Sequence, residues 1–348
     1  MHYLQPLDTD LLNVLQTQVP LVERPFLHLA KEFGTTELEV ITRLKKLRHP
    51  EPPERPIIRQ ISAIFDSKSL GYETTLVAAQ VEESKLVAAA AIINEHPGVS
   101  HNYRRNHAFN LWYTLAVPPD SMLGLEKTLE ILHQRSGAVS TRMLPTEKLF
   151  KIGVKFDLSG EADVAARTDP SAPHFVRGTF ENPVTDEDKR AIRILQQDLP
   201  LCPEPFKIWA GQAGMTVGAF LECAQSLITR KLMRRFAAVL KHREAGISAN
   251  AMGIWIVPPE KCESFGQFAA SFAAVSHCYL RKTYPDWPYS IFTMVHAATK
   301  EQCESVLKRI SIESGVREYS ALYSSTEYKK TRVQYFTPEI PAWEAAAG

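Results

Sequence analysis

The sequence predicts an α+β protein of two tandem modules. Each module is a winged helix–turn–helix followed by a ferredoxin-like antiparallel sheet domain, and the two form an internal pseudo-dimer. Three observations predict this. The 348-residue chain repeats itself, both halves open with the same helical punctuation, and both then run through the same alternation of strand-like and helix-like segments.

The helical openings come first. Leu7 to Gln16 (LDTDLLNVLQ) matches Val184 to Leu195 (VTDEDKRAIRIL), each an acidic first turn followed by helix-spaced apolar residues. PFLHLAKEFGTTELEVITRLKKL, from Pro25, then matches PFKIWAGQAGMTVGAFLECAQSLITRKL, from Pro205. Gly34 or Gly214 separates two amphipathic helices, and Thr35 or Thr216 is placed to cap the second.

The sheet segments follow in the same order twice. In the first half, 57–65 and 74–81 read as strands, and 82–95 reads as an alanine-rich helix leaving through His96-Pro97-Gly98. Residues 99–106 and 110–117 form a hairpin, 123–135 a helix, and 138–158 a returning strand. The second half repeats this through 236–240, 249–257, 264–274, 276–282, 289–297, 301–312 and 316–336. The first module is therefore 1–158, with its helix–turn–helix at 7–56 and its sheet domain at 57–158. The second is 183–337, divided into 184–235 and 236–337, with a tail at 338–348. Residues 159–182, rich in Ala, Asp, Pro and Thr, read as a linker. Sheets of this kind carry helices on one face, leaving the other open to a ligand or a second sheet.

Composition narrows the function classes. Hydrophobic residues are 45% and charged residues 23%, an ordinary globular balance. A net charge of +1 argues against a polyanion-coating protein, so any anion must be bound by a local patch. No apolar run of about 18 residues could span a bilayer, and no basic-then-apolar leader stands at Met1. The five cysteines (Cys202, Cys223, Cys262, Cys278, Cys303) make no C-x-x-C pair, which fits reduced thiols and a cytoplasmic location. There is no P-loop, dinucleotide fingerprint, G-x-S-x-G elbow or zinc spacing, so no added cofactor and no metal site is expected.

One stretch organises the chemistry. Val99 to Thr114 reads VSHNYRRNHAFNLWYT, and as an extended strand it sends His101, Tyr103, Arg105 and His107 to one face. Two imidazoles, a phenol and a guanidinium in a file suit holding and protonating an anion better than building a core. The second half repeats the spacing in VSHCYLRKTYPDWPYSIFTM, where His277, Tyr279 and Arg281 share a face. Cys278 points the other way and reads as packing. His107 has no counterpart, because Thr283 takes its place before a four-residue insertion.

The order of helix–turn–helix then ferredoxin-like domain resembles the Lrp/AsnC regulators. The motif H-x-Y-x-R-x-H-x-F-N-L-W, His101 to Trp112, resembles instead the siroheme decarboxylases, which pair two homologous Lrp-like subunits, here fused in one chain. LPTEKLFKIGVKFDL, YPDWPYSIFTMVH and LYSSTEYKKTRVQYF extend the resemblance over nearly the whole chain. It implies removal of carbon dioxide from two acetate side chains of siroheme, giving didecarboxysiroheme, in haem d1 or alternative haem biosynthesis. The iron belongs to the substrate.

For an octacarboxylate macrocycle, Arg105 and Arg281 are the expected carboxylate clamps, with Arg104 on the opposite face ranked lower. His101 and His277 are the expected proton donors, with Tyr103 and His107 as further candidates. Tyr279 is expected to contact the substrate, Lys151 and Arg332 to neutralise propionates or face solvent, His296 to contact the iron or a carboxylate or to sit as a hydrogen-bonded edge residue, and Trp112, Trp287 and Tyr289 to stack on the macrocycle or fill core. Nucleic acid is not an expected partner, since the second helix of each helix–turn–helix offers few basic or amide groups at its base-reading end. The alternatives are an Lrp-type regulator and a non-catalytic tetrapyrrole-binding protein. Further homodimerisation of the pseudo-dimer is left open.

Overall fold

The computed structural model describes residues 4–52, 55–152, 183–240 and 249–347. The expected linker 159–182 and the last residues of the strand expected at 138–158 lie outside them. The first half runs α1 (Pro6–Thr17), α2 (Pro25–Glu32), α3 (Glu37–Arg48), β1 (Ile58–Phe65), β2 (Glu73–Gln80), α4 (Leu86–Asn94), β3 (Val99–Arg105), β4 (Leu111–Val117), α5 (Gly124–Ser136), β5 (Ser140–Leu144) and β6 (Thr146–Ile152). The second half repeats it as α6 (Asp186–Leu195), α7 (Pro205–Ala213), α8 (Val217–Thr229), β7 (Met233–Leu240), β8 (Ala249–Trp255), α9 (Cys262–Ala270), β9 (Val275–Arg281), β10 (Ile291–Ala297), α10 (Lys300–Ser314), β11 (Tyr319–Leu322) and β12 (Ser324–Lys330). A terminal α11 (Glu339–Ala347) follows.

Helix ends follow local chemistry. The hydroxyls of Thr36 and Thr216 accept the backbone N–H groups of Glu39 and Ala219, each at 3.2 Å, capping α3 and α8. The cap expected at Thr35 is thus one residue late in the chain. Gly34 is left-handed at φ +63° and Thr35 N donates to Ala30 O, so Thr35 still closes α2.

The chain forms two compact units that cut across its halves. One contains α1–α3, α6–α8 and a two-stranded antiparallel sheet of β1 and β7. Here the sequence reading is corrected: β1 and β7 do not open the ferredoxin-like sheets, which begin at Glu73 and Ala249. The reason is aromatic packing. Phe236 on β7 seats its ring 5.8 Å from Phe206 and 5.9 Å from Trp209 of α7, committing that strand to the helical core.

The other unit holds two five-stranded sheets, ordered β12-β3-β4-β2-β5 and β11-β8-β10-β9-β6. The stretch expected as one strand at 138–158 breaks at Pro145. There β5 stays in its own sheet, and β6 crosses to pair with β9 of the second half. In return β12 pairs with β3. Phe150 of the exchanged β6 lies over α9 at Gly266, where a Cβ would come within 2.4 Å of its ring, so glycine is required there. Each sheet has a helix-side core of its own. A third apolar cluster, with Trp112, Leu144, Met252 and Phe292, takes residues from both sheets.

Candidate functional site

The site begins with an irregularity in β3 and β9. Val99 and Val275 lie in the helix-side cores, yet His101 and His277, two residues on, line a cavity instead. Regular alternation would keep each pair on one face. The pairing slips between them: Val99 opposes Leu115 while His101 opposes Thr114, and Val275 opposes Val295 while His277 opposes Met294. Ser100 and Ser276 are the extra residues of two equivalent bulges, which re-aim everything beyond them. From there the alternation is regular. Asn102 turns to the helix side, donating to Ala90 O at 3.3 Å, and Cys278 is buried at the corresponding place, as expected for packing.

The cavity, of about 1160 Å³, is lined by both copies of the repeat: His101, Tyr103 and Arg105 from one sheet, His277, Tyr279 and Arg281 from the other. Its size suits a large ligand. Trp112 and Phe292, at matched positions on β4 and β10, add apolar wall.

Each bulge serine touches its histidine. Ser100 Oγ is 3.0 Å from His101 Nδ1, and Ser276 Oγ is 2.8 Å from His277 Nδ1. Ser276 Oγ also donates to Met294 O at 3.3 Å, so its single proton is used. It must then accept from Nδ1, which leaves the lone pair of neutral His277 on Nε2. Burial, with His296 adding to it, pushes His277 down to about 4, so without ligand the ring is neutral at pH 7. The sequence signal for these serines was the repeated Val-Ser-His tripeptide.

Both arginines are largely withdrawn from water, and burial pushes each down to about 10, still cationic at neutral pH. Arg105 Nη1 donates to Leu322 O at 3.5 Å, and Arg281 Nη1 to Leu144 O at 2.5 Å. These carbonyls end β11 and β5, where the chain crosses between sheets, so each arginine holds the opposite crossover. Each also has an Nε that is buried without an acceptor. A buried guanidinium with an unmet donor beside a cavity is suited to an anion. Arg281 lies 4.8 Å from the Tyr279 ring centroid, and Arg105 5.9 Å from that of Tyr103.

Of the other expected residues, Tyr279, Trp112 and His296 line the cavity. His107, Arg104, Lys151 and Arg332 do not. Strand β3 ends at Arg105, so the period of two never reaches His107. That ring sits in the hairpin turn, 5.2 Å from Trp287 and 6.0 Å from Tyr289, and Phe109 N donates to its Nδ1. Arg104 pairs with Glu83 on the other face. Lys151 opposes Cys278 and donates 2.8 Å to Phe272 O just past the end of α9, and Lys329 at the matched place on β12 donates 2.8 Å to Asn94 O, the last residue of α4. Both lysines therefore cap helix ends. Arg332 lies beyond the end of β12. Trp287 is wholly buried among Trp112, Phe109 and Phe292, filling core. The sequence reading passed over Glu327 and Lys330 on β12, which also line the cavity. Their side of the cavity comes from the exchanged strand, which no local pattern announces.

In the helical unit, the first turn of α3 carries Glu37 and Glu39, and Glu37 is paired with Arg24. Acidic groups there repel phosphate. No described helix is long and apolar enough to cross a membrane.

Residues 69–151 and 244–329 match the AsnC-like ligand binding domain family. Residues 8–51 and 188–234 match the siroheme decarboxylase NirDL-like HTH domain family. A siroheme decarboxylase of Hydrogenobacter thermophilus is 38% identical over 333 residues, 96% of each chain. A siroheme decarboxylase NirDL subunit of Paracoccus pantotrophus is 30% identical over 86% of this chain and 88% of its own. The siroheme decarboxylase beta subunit of Methanosarcina barkeri is 43% identical over 42% of this chain and 97% of its own. Crystal structures of the siroheme decarboxylase NirDL, one in co-complex with an iron-uroporphyrin III analogue, superpose at a TM-score of 0.77 with 33% identity over 98% of both chains.

Proposed function

Because the chain belongs to the siroheme decarboxylase family, we propose that it removes carbon dioxide from two ring acetates of siroheme and that the cavity between the two His-Tyr-Arg copies is where it does so. The observation that carries this is the convergence of both copies on one cavity of about 1160 Å³. Its apolar wall fits a flat macrocycle, and its two arginines fit the carboxylate rim.

In each decarboxylation the bond from the methylene to the carboxylate breaks and carbon dioxide leaves. The electron pair stays with the ring substituent, which takes up one proton and becomes a methyl group. The conjugated iron macrocycle of the substrate can share that electron pair before protonation. His101 and His277 supply the proton. Burial keeps unliganded His277 neutral, and incoming carboxylates favour imidazolium, so the substrate charges its own donor. Arg105 and Arg281 orient the rim through their unmet Nε donors. No cofactor beyond the substrate's own iron is required, and didecarboxysiroheme is the product. The five free cysteines, three of them buried, accord with a cytoplasmic location.

Anaerobic incubation with siroheme, followed by mass measurement of the tetrapyrrole, tests this. Loss of two carbon dioxide masses is expected. Tight binding with all eight carboxylates retained would mean a carrier, not an enzyme.

A further inference from the structure

The two copies of the repeat are equal in their histidine, tyrosine and arginine but not in the strand exchanged against them. In the ladder of β12 with β3, Glu327 opposes Tyr103 and Lys330 opposes His101. In the ladder of β6 with β9, the same places are taken by Leu149, opposing Tyr279, and Ile152, opposing His277. The two ladders carry register shifts at matching points, so the comparison is residue for residue. Directly opposed residues share a face. Glu327 and Lys330 line the cavity, and Leu149 and Ile152 take the equivalent places beside Tyr279 and His277. Burial first, and then the Glu327 carboxylate facing it across the ladder, push the Tyr103 phenol up, and that carboxylate lies 3.7 Å from Lys330 Nζ.

A cavity with two equivalent half-sites would accept a macrocycle in two poses related by the pseudo-twofold axis, at equal free energy. A charged pair at one edge and, among the described residues, an apolar pair at the equivalent places of the other remove that degeneracy. We propose that Glu327 and Lys330 select one orientation of the tetrapyrrole, and so decide which acetate meets which histidine. Lys330 supplies a cation for a rim carboxylate beside His101, which Ile152 cannot do beside His277. Glu327 is a positioning residue: it sets a negative charge opposite Tyr103, where Leu149 sets an apolar side chain opposite Tyr279, so a rim carboxylate is turned from the one place and not from the other. The inference rests on the siroheme reading of this cavity.

The test gives the first half-site the edge of the second, with the double variant Glu327→Leu/Lys330→Ile. Under single turnover with siroheme, the two monodecarboxylated isomers are separated and counted. The parent should form one isomer in at least tenfold excess, and the double variant should bring the ratio within about threefold of equality. An unchanged ratio in the double variant, or a parent that already forms both isomers equally, overturns the proposal. Siroheme titration, followed by the shift of its main absorption band, is the second arm. Lys330→Ile should weaken binding at least fivefold and Ile152→Ala less than twofold, and equal effects overturn it. A parent that binds siroheme without releasing carbon dioxide would overturn the decarboxylase reading instead, leaving the titration to decide the orientation.

Discussion

The half-site on β3 and the half-site on β9 differ least where chemistry is concentrated and most where the other half of the chain contributes. Bulge serine, histidine, tyrosine and arginine recur at matched register, and each arginine even holds the same crossover carbonyl of the opposite sheet. The neighbours diverge: Thr114 opposes His101, but Met294 opposes His277. Glu327 and Lys330 flank one triad, Leu149 and Ile152 the other. In a homodimer of identical chains every such edge would be duplicated. A fused pair lets each edge vary alone, so one substrate with inequivalent acetates can be met by two inequivalent walls.

The largest effect expected is at the histidines. His101→Ala and His277→Ala should each slow the decarboxylation that histidine serves by about 10²–10⁴-fold, with siroheme binding little changed. A monodecarboxylated intermediate accumulating in only one variant would show that the half-sites divide the two acetates. If both variants formed didecarboxysiroheme at the parental rate, neither histidine would be the acid, and Tyr103 would be next.

The arginines come second. Arg105→Lys and Arg281→Lys each lose a charged hydrogen bond of about 1.5–3 kcal/mol, so siroheme affinity should fall roughly tenfold or more. Calorimetric melting sharpens the comparison. Arg281 holds its carbonyl at 2.5 Å against 3.5 Å for Arg105, so Arg281→Lys should lower the melting temperature more. Parental affinity in both lysine variants would dismiss the clamp.

The pH dependence of stability is a smaller effect with a definite sign. Burial depresses His277 from 6.5 to about 4 in the folded chain, so between those values the unfolded state binds more protons. Stability should be complete above about pH 6.5 and fall as pH drops toward 4. His96, buried and also depressed to about 4, acts in the same window. His277→Asn should therefore flatten the denaturation profile in part and leave the His96 share. An unaltered slope would show that His277 is not held neutral.

The smallest effect is expected at the serines. Ser276→Ala removes the acceptor that fixes the His277 tautomer and should reduce turnover severalfold. Ser100→Ala should cost less, because the Thr114 hydroxyl, 2.8 Å from Ser100 Oγ, remains beside His101. Equal losses would mean the two bulges orient their histidines alike.

The sequence by itself determined the repeat, the helix–turn–helix punctuation, and six residues that line the cavity: His101, Tyr103, Arg105, His277, Tyr279 and Arg281. These were legible because spacing within one strand is a local property, copied twice. Only the tertiary structure decided what surrounds them. The end of β3 at Arg105 took His107 out of the file and into an aromatic cluster, and the helix ends of α4 and α9 claimed Lys329 and Lys151. The pairing of β1 with β7 moved those strands out of the sheets to which their order in the sequence assigns them, and the crossing of β6 and β12 brought Glu327 and Lys330 to a histidine and tyrosine more than two hundred residues away. Strand exchange and edge pairing are set by which surfaces the folded halves bury against each other, and a periodicity read along one chain segment carries no information about its neighbour in a sheet.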